Sequence, residues 1–97
     1  MAYDPVIKNE GMDALFGAIL TLENAEDCYR FFEDLCTVKE LLSMAQRFQV
    51  AQMLRQRETY QDIVHKTGAS TATISRVNRC LHYGADGYRR ILDRIER

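Results

Sequence analysis

Residues 59–80, TYQDIVHKTGASTATISRVNRC, predict the fold more clearly than any other stretch of the chain. Thr59 and Ser70 are typical helix N-cap residues, so the stretch predicts two short helices in succession. Gly68 lies between them, where a glycine tolerates the left-handed backbone that a sharp turn needs. The apolar side chains with the spacing to pack the two helices together are Ile63, Ile74 and Val77. The stretch therefore predicts a helix-turn-helix.

The second of these helices is predicted to present small polar and basic side chains away from the core. At about 100° per residue, the side opposite Ile74 carries Ala72, Ser75, Arg76, Arg79 and Tyr83. Thr71 and Thr73 flank this side near Ser70, whose following N–H groups suit a phosphate. Short side chains can approach base edges, and arginines can reach phosphates or guanines. We interpret this side as a DNA-reading face, although a purely structural helix pair would show the same spacing.

Outside residues 59–80, apolar residues also keep helical spacing through nearly the whole chain, and no segment alternates with the period of a strand. We predict an all-α fold of about six helices, including a first helix over 12–20, a second capped by Asn24, and a last helix over 86–96. The last helix carries one apolar stripe, formed by Tyr88, Ile91, Leu92 and Ile95. We treat residues 1–97 as a single DNA-binding domain, with dimerisation helices over 8–57, the helix-turn-helix over 59–83 and a C-terminal helix over 85–97.

The third predicted helix, about Val38 to Arg57, is apolar on two sides. One stripe consists of Leu41, Met44, Ala45, Phe48 and Ala51, and the other of Leu42, Val50, Met53 and Leu54. A helix that is apolar on two sides must be covered on two sides. Because a chain of 97 residues forms only a small core, we expect a second subunit to supply the extra cover in a homodimer.

Composition excludes several classes of protein. With 46% hydrophobic and 28% charged residues the chain is not disordered, and no apolar run has the roughly 18 residues of a membrane span. An odd number of cysteines argues against a disulfide framework, so we expect a reduced, cytoplasmic protein. Cys80, beside Val77 and Leu81, is expected to be a buried and inert thiol. The sequence shows no zinc-ligand spacing, phosphate loop or nucleophile–base pair, so we expect no metal, no cofactor and no enzymatic activity.

Charge is distributed unevenly along the chain. Residues 1–42 carry three basic and nine acidic side chains, whereas residues 43–97 carry ten basic and five acidic ones. A basic half on a chain with a net charge of −1 fits an anionic partner such as double-stranded DNA. Scattered surface charge would give the same counts, and that alternative stays open.

The block Gly68–Arg76, with residues 59–63 before it, resembles the DNA-reading segment of the Trp repressor superfamily, and most closely the Trp-repressor-related YerC/YecD family. The similarity covers roughly residues 35–83. It implies an all-helical homodimer of interlocked subunits that acts as a DNA-binding transcriptional regulator. By this resemblance Tyr60 and Gln61 match positions at the start of the first of the two helices. The positions that match operator-contacting positions are Ser70, Thr71, Ala72 and Ser75, and we name all six as candidate DNA-binding residues.

The same resemblance bears on an effector pocket. Trp repressors hold the indole ring of tryptophan between two arginines. Arg76 and Arg47 correspond to these arginines, although a shift of one residue in the match would put Gln46 at the position of Arg47. Val77 stands where those repressors have glycine, and Cys80 stands where they have serine. A thiol is a poor hydrogen-bond partner. We therefore name Arg47, Arg76 and Cys80 as candidate effector-pocket residues and expect tryptophan not to be a strong corepressor.

Two functional hypotheses follow from these observations. The leading one is a sequence-specific transcriptional regulator, a repressor, whose two copies of helix 71–82 enter successive major grooves about 34 Å apart. The alternative is a helical protein-interaction or assembly module that keeps the fold without binding DNA. A log–log dependence of affinity on salt, set by phosphate contacts, would distinguish the first from the second.

Overall fold

Residues 3–96 are described by this computed structural model, and within them lie six helices and no strand. The helices are α1 (Glu10–Ile19), α2 (Ala25–Leu35), α3 (Val38–Arg55), α4 (Tyr60–Thr67), α5 (Thr71–Tyr83) and α6 (Gly87–Ile95). The prediction of an all-α fold is confirmed. The chain forms two compact units, of which the first ends at Val38 and the second begins at Lys39. The single-domain arrangement over residues 1–97 stays a prediction.

Four of the helices begin at a polar residue that satisfies a free backbone donor. The capping residues of α1, α2, α4 and α5 are Asn9, Asn24, Thr59 and Ser70. Each side-chain oxygen accepts a hydrogen bond of 2.8–3.1 Å from the N–H three residues further on. These bonds replace partners that the first turn of a helix lacks, so the chain starts each helix at a point its own sequence defines. The caps predicted at Asn24, Thr59 and Ser70 are confirmed.

Helix α3 ends two residues before the predicted end at Arg57. The N–H of Arg57 donates to the carbonyl of Leu54 at 3.0 Å, and the N–H of Glu58 donates to that of Met53 at 3.1 Å. This pair of bonds is the Schellman motif, which needs a left-handed residue at the position that Arg57 occupies with φ 62°. The motif stops α3 and turns the chain towards α4.

Glycines end the two helices of the predicted helix-turn-helix. Gly68 has φ 73° and donates its N–H to the carbonyl of Val64 at 2.9 Å. Gly84 follows α5 so closely that a Cβ there would lie 2.5 Å from the carbonyl oxygen of Cys80. A side chain is therefore disfavoured by the backbone angle at Gly68 and by contact with the preceding turn at Gly84.

The core of the second unit joins the C-terminal half of α3 to α4, α5 and α6. Its buried residues are Val50, Ala51, Met53, Ile63, Ala69, Ile74, Val77 and Leu92. Burial of a side chain the size of Ile63, Ile74 or Leu92 contributes about 1.5–3 kcal/mol each. The predicted packing residues of the helix-turn-helix are all in this core. In α6 only part of the predicted stripe is covered, because Ile91 and Ile95 remain exposed.

A large amount of apolar surface outside this core is exposed. Helices α1 and α2 bury no residue. Their exposed large apolar side chains are Phe16, Leu20, Tyr29 and Leu35. Those of α3 are Val38, Leu42 and Met44. Of the two predicted apolar sides of α3, the single chain therefore covers the residues in the C-terminal half and leaves Leu42 and Met44 exposed. In the described residues, no helix has both the length and the apolar character that crossing a membrane requires.

Candidate nucleic-acid interface

The turn between α4 and α5 is held by hydrogen bonds on both sides. The hydroxyl of Thr67 donates to the carbonyl of Ile63 at 2.7 Å and accepts from the N–H of Ala69 at 3.1 Å. The side-chain amide of Gln46, on α3, donates to the carbonyl of Thr67 at 3.1 Å. Ala69 itself is buried. These contacts hold α5 in one orientation against α4, as a reading helix requires.

The predicted DNA-contacting residues lie at the surface of α4 and α5, with one exception. The exposed ones are Tyr60, Gln61, Ser70, Thr71, Ala72, Ser75, Arg76 and Arg79. Thr73 is half-buried, and its hydroxyl accepts a hydrogen bond of 3.1 Å from the hydroxyl of Ser70. Ser70 also accepts from the N–H of Thr73 at 3.1 Å. The hydroxyls of Ser70 and Thr73 are thus engaged in the cap, whereas those of Thr71 and Ser75 face solvent.

Arginines supply the unpaired positive charge of this surface. Within residues 3–96, neither Arg76 nor Arg79 has an acidic partner within 4.0 Å. By contrast, the ammonium of Lys66 on α4 lies 2.6 Å from the carboxylate of Glu58. The hydrogen bond and the charge of Glu58 raise the pKa of Lys66. Free guanidinium groups can pair with phosphates or bases, so the chemistry available on α5 is anion and base recognition.

An apolar pocket of about 510 Å³ borders the other edge of α5. It is lined by Phe48, Cys80, Ala85, Gly87, Tyr88 and Ile91. Among the candidate effector residues, Cys80 lines the pocket and Arg76 does not. Arg47 is half-buried, and its positive charge acts on the phenol of Tyr88, which lines the pocket. Arg47 therefore lies near the pocket. Burial raises the pKa of Tyr88, and the positive charge of Arg47 opposes that rise.

The structure corrects the prediction for Cys80, whose thiol is exposed. Six steps of about 100° along a helix place Cys80 about 120° away from the buried Ile74, outside the core stripe. Sequence reasoning also missed the part played by Gln46, since its partner Thr67 lies 21 residues away. Among the described residues, no group of three or more His, Cys, Asp or Glu side chains is placed to hold a metal ion.

Comparison with known proteins supports the interpretation of α4 and α5 as a helix-turn-helix of the Trp repressor type. A sequence model of the family described as Trp repressor protein matches residues 10–96. The uncharacterized protein YerC of Bacillus subtilis (strain 168) is 56% identical over 90 residues, which are 93% of this chain and 86% of YerC.

Two crystal structures superpose closely on this one. A TrpR-like protein from Eubacterium eligens has a TM-score of 0.90 at 57% identity, with 93% of each chain covered. A protein from Staphylococcus aureus has a TM-score of 0.89 at 57% identity, with 93% of this chain and 90% of that one covered. Trp repressor-like proteins are regulatory DNA-binding proteins and not enzymes, in agreement with the absence of enzymatic activity predicted above. The helix-turn-helix, the superposition over 93% of the chain and the family match lead to one conclusion, that this chain belongs to the Trp repressor family.

Proposed function

We propose that the protein is a sequence-specific DNA-binding transcriptional regulator that acts as a repressor. The observation that carries the proposal is the exposed face of α5, where short side chains and two arginines without an acidic partner in residues 3–96 lie on a rigidly held helix. In this proposal α5 enters a major groove with its N-terminal end towards the bases. Thr71, Ala72 and Ser75 then read base edges, and Arg76 and Arg79 bind the phosphate backbone.

The active form in this proposal is a homodimer of interlocked subunits. The exposed apolar side chains of α1, α2 and the N-terminal half of α3 support it, because a monomer in water rarely exposes so much apolar surface. Two-fold symmetry places the two reading helices about one turn of DNA apart, roughly 34 Å. The operator would then have two related half-sites. A regulator that binds chromosomal DNA works where that DNA is, so we place the protein in the cytoplasm.

Tryptophan is not a strong corepressor in this proposal. Val77, which stands where the resemblance calls for a glycine, is buried in the core, and neither Val77 nor Arg76 lines the apolar pocket. Cys80 presents a thiol to the apolar pocket, where an amino group would find only a weak hydrogen-bond partner. A pocket that offers a thiol in place of a hydroxyl rejects a ligand whose amino group it leaves unpaired. The regulator thus either responds to another molecule or binds DNA without one.

Selection from random DNA is the experiment that tests the proposal. Several rounds of binding to the purified protein should enrich a two-fold-related sequence, and fluorescence anisotropy should then measure affinity for that sequence and for random DNA. We expect specific binding that weakens along a log–log salt line. If no DNA binds more tightly than about 10⁻⁴ M, the weak end of non-specific binding, the protein is a helical assembly module instead.

A further inference from the structure

A second pocket, of about 520 Å³, lies between the C-terminal end of α3, α5 and α6. It uses a different edge of α5 from the apolar pocket, and Asn78 and His82 are the polar side chains of that edge. None of the side chains assigned above to DNA reading lines it. Leu54 and Leu81 give it an apolar part. Its size is in the range of small-molecule sites and larger than one inorganic anion needs.

Most of the charges around this pocket are already paired. Arg55 forms ion pairs with Asp93 and with Glu96, the latter at 3.0 Å. Arg89 lies 3.4 Å from the carboxylate of Asp86 and donates to a backbone carbonyl at 3.0 Å. Arg57 has no acidic partner among residues 3–96. Arg57 is therefore the positive charge in this pocket that remains for a ligand.

Local structure does not explain the presence of an arginine at position 57. The residue has φ 62° and occupies the left-handed position of the Schellman motif, where glycine is the residue that fits without strain. Asn78 is half-buried in the same pocket, and its side-chain amide makes no hydrogen bond within the described residues. Two polar side chains without a protein partner in residues 3–96 thus line one pocket, and Arg57 is a strong hydrogen-bond donor to anions.

We propose that this pocket binds a small organic phosphate monoester. A guanidinium pairs with phosphate through two parallel hydrogen bonds, which is the role we assign to Arg57. The amide of Asn78 and a remaining N–H of Arg89 donate to the other phosphate oxygens. The organic part of the ligand packs on Leu54 and Leu81. The assignment does not depend on DNA binding, since the pocket and the reading face share no residue.

The test is a nuclear magnetic resonance titration of the full chain with glycerol 3-phosphate. Glycerol and sodium chloride at matched ionic strength are the reference titrations. We expect saturable shifts of the amide signals of Asn78 and Arg89, and none from the two references. Arg57→Gly should weaken this binding about tenfold or more, because a charged hydrogen-bonded pair is lost.

The glycine variant separates binding from folding. Arg57→Gly removes a strained left-handed residue, so its unfolding midpoint should stay the same or rise while binding is lost. The matched control is Arg94→Ala, which removes an exposed arginine of α6 that does not line the pocket, and which should bind as the wild type does.

Three results would overturn the proposal. If Arg57→Gly binds glycerol 3-phosphate as tightly as the wild type does, Arg57 does not make the central contact with the phosphate. Shifts centred on Thr71 and Ala72 would place the anion at the start of α5. The third result combines two measurements: binding of glycerol 3-phosphate does not saturate, and the salt slope for DNA binding is about one unit lower in Arg57→Gly. That result would mean that Arg57 binds a phosphate of the DNA backbone.

Discussion

At the scale of single residues, Gly68 and Gly84 are constrained by different physics. Gly68 is left-handed with open space around the site of a Cβ, whereas at Gly84 a Cβ would meet the backbone of Cys80 at 2.5 Å. Gly68→Ala should therefore cost about 1 kcal/mol of unfolding free energy from backbone strain. Gly84→Ala should cost about 3 kcal/mol, because the main chain at residue 84 must move away from the last turn of α5.

Urea denaturation followed by circular dichroism measures both losses. A larger loss for Gly68→Ala than for Gly84→Ala would mean that the turn between α4 and α5 has contacts the structure does not show. The order of the two losses is thus a direct check on the geometry of the helix-turn-helix.

The exposed side chains of α5 are expected to have two different roles in DNA binding, base recognition and phosphate binding. Thr71 and Ser75 are short and near the N-terminal end, so Thr71→Ala or Ser75→Ala should change the preferred base at one position by about 1–3 kcal/mol. Arg79 is long and two turns into the helix, so Arg79→Ala should weaken all sequences alike and lower the salt slope by about one unit.

Anisotropy titrations on a selected site and on random DNA, at several salt concentrations, distinguish these effects. The division of roles is wrong if Arg79→Ala alone relaxes the sequence preference. It is equally wrong if Thr71→Ala and Ser75→Ala weaken the two DNAs by the same factor. Arg94→Ala on α6 is a control for the loss of one positive charge away from α5.

At the scale of elements, α6 is held to the second unit by Leu92 and by the partly buried Tyr88. Burial raises the pKa of the Tyr88 phenol above its ordinary value of about 10. The folded state therefore holds this proton more tightly than the unfolded state does. The corresponding stability is present below about pH 10 and is lost as the pH rises through the raised value.

Tyr88→Phe should consequently lose less stability than the wild type between about pH 8 and about pH 11. Urea midpoints at the two pH values measure the difference. Tyr83→Phe is the matched control, because the Tyr83 phenol on α5 is 87% exposed. If the wild type and Tyr88→Phe lose the same amount of stability between these two pH values, the phenol of Tyr88 is not buried against the core.

Helix starts were predictable from the sequence because a cap is a local interaction. Asn24, Thr59 and Ser70 each bond an N–H only three residues away. The helix α3 ends two residues before its predicted end, because its left-handed residue is Arg57 and not the glycine that usually marks such an end. The prediction of a buried Cys80 is wrong, because Cys80 lies about 60° around the helix from the buried Val77 and thus outside the core stripe. Distant contacts such as Gln46 to Thr67 leave no local signal.

At the scale of the whole molecule, helical stripes predicted which faces are apolar but not what covers them. One stripe of α3 reaches the core through Ala51, and the other through Val50 and Met53. The N-terminal half of α3 contains no fully buried residue, and Leu42 there is 66% exposed. The candidate reading face was easier to predict, because its residues lie within a single 22-residue stretch and depend on one helix orientation.

Leu42→Glu should break the proposed homodimer without unfolding the second unit. Leu42 is exposed in the single chain and contributes nothing to the core, so the charge is tolerated there. In a dimer that covers Leu42, the same charge would be buried without a partner. We expect light scattering at micromolar concentration to give the mass of a dimer for the wild type and of a monomer for Leu42→Glu.

Ser43→Glu is the control, because it puts the same charge on the adjacent exposed polar residue of α3. Loss of the dimer should also reduce the helix content. Helices of 10 and 11 residues with no fully buried side chain are marginal in water, so we expect residues 10–35 to depend for their stability on the partner in the proposed homodimer. Circular dichroism should therefore show fewer helical residues in Leu42→Glu and an unchanged content in Ser43→Glu. A wild-type protein that scatters as a monomer with all six helices formed would contradict this dependence, because α1 and α2 would then be stable with their apolar side chains in water.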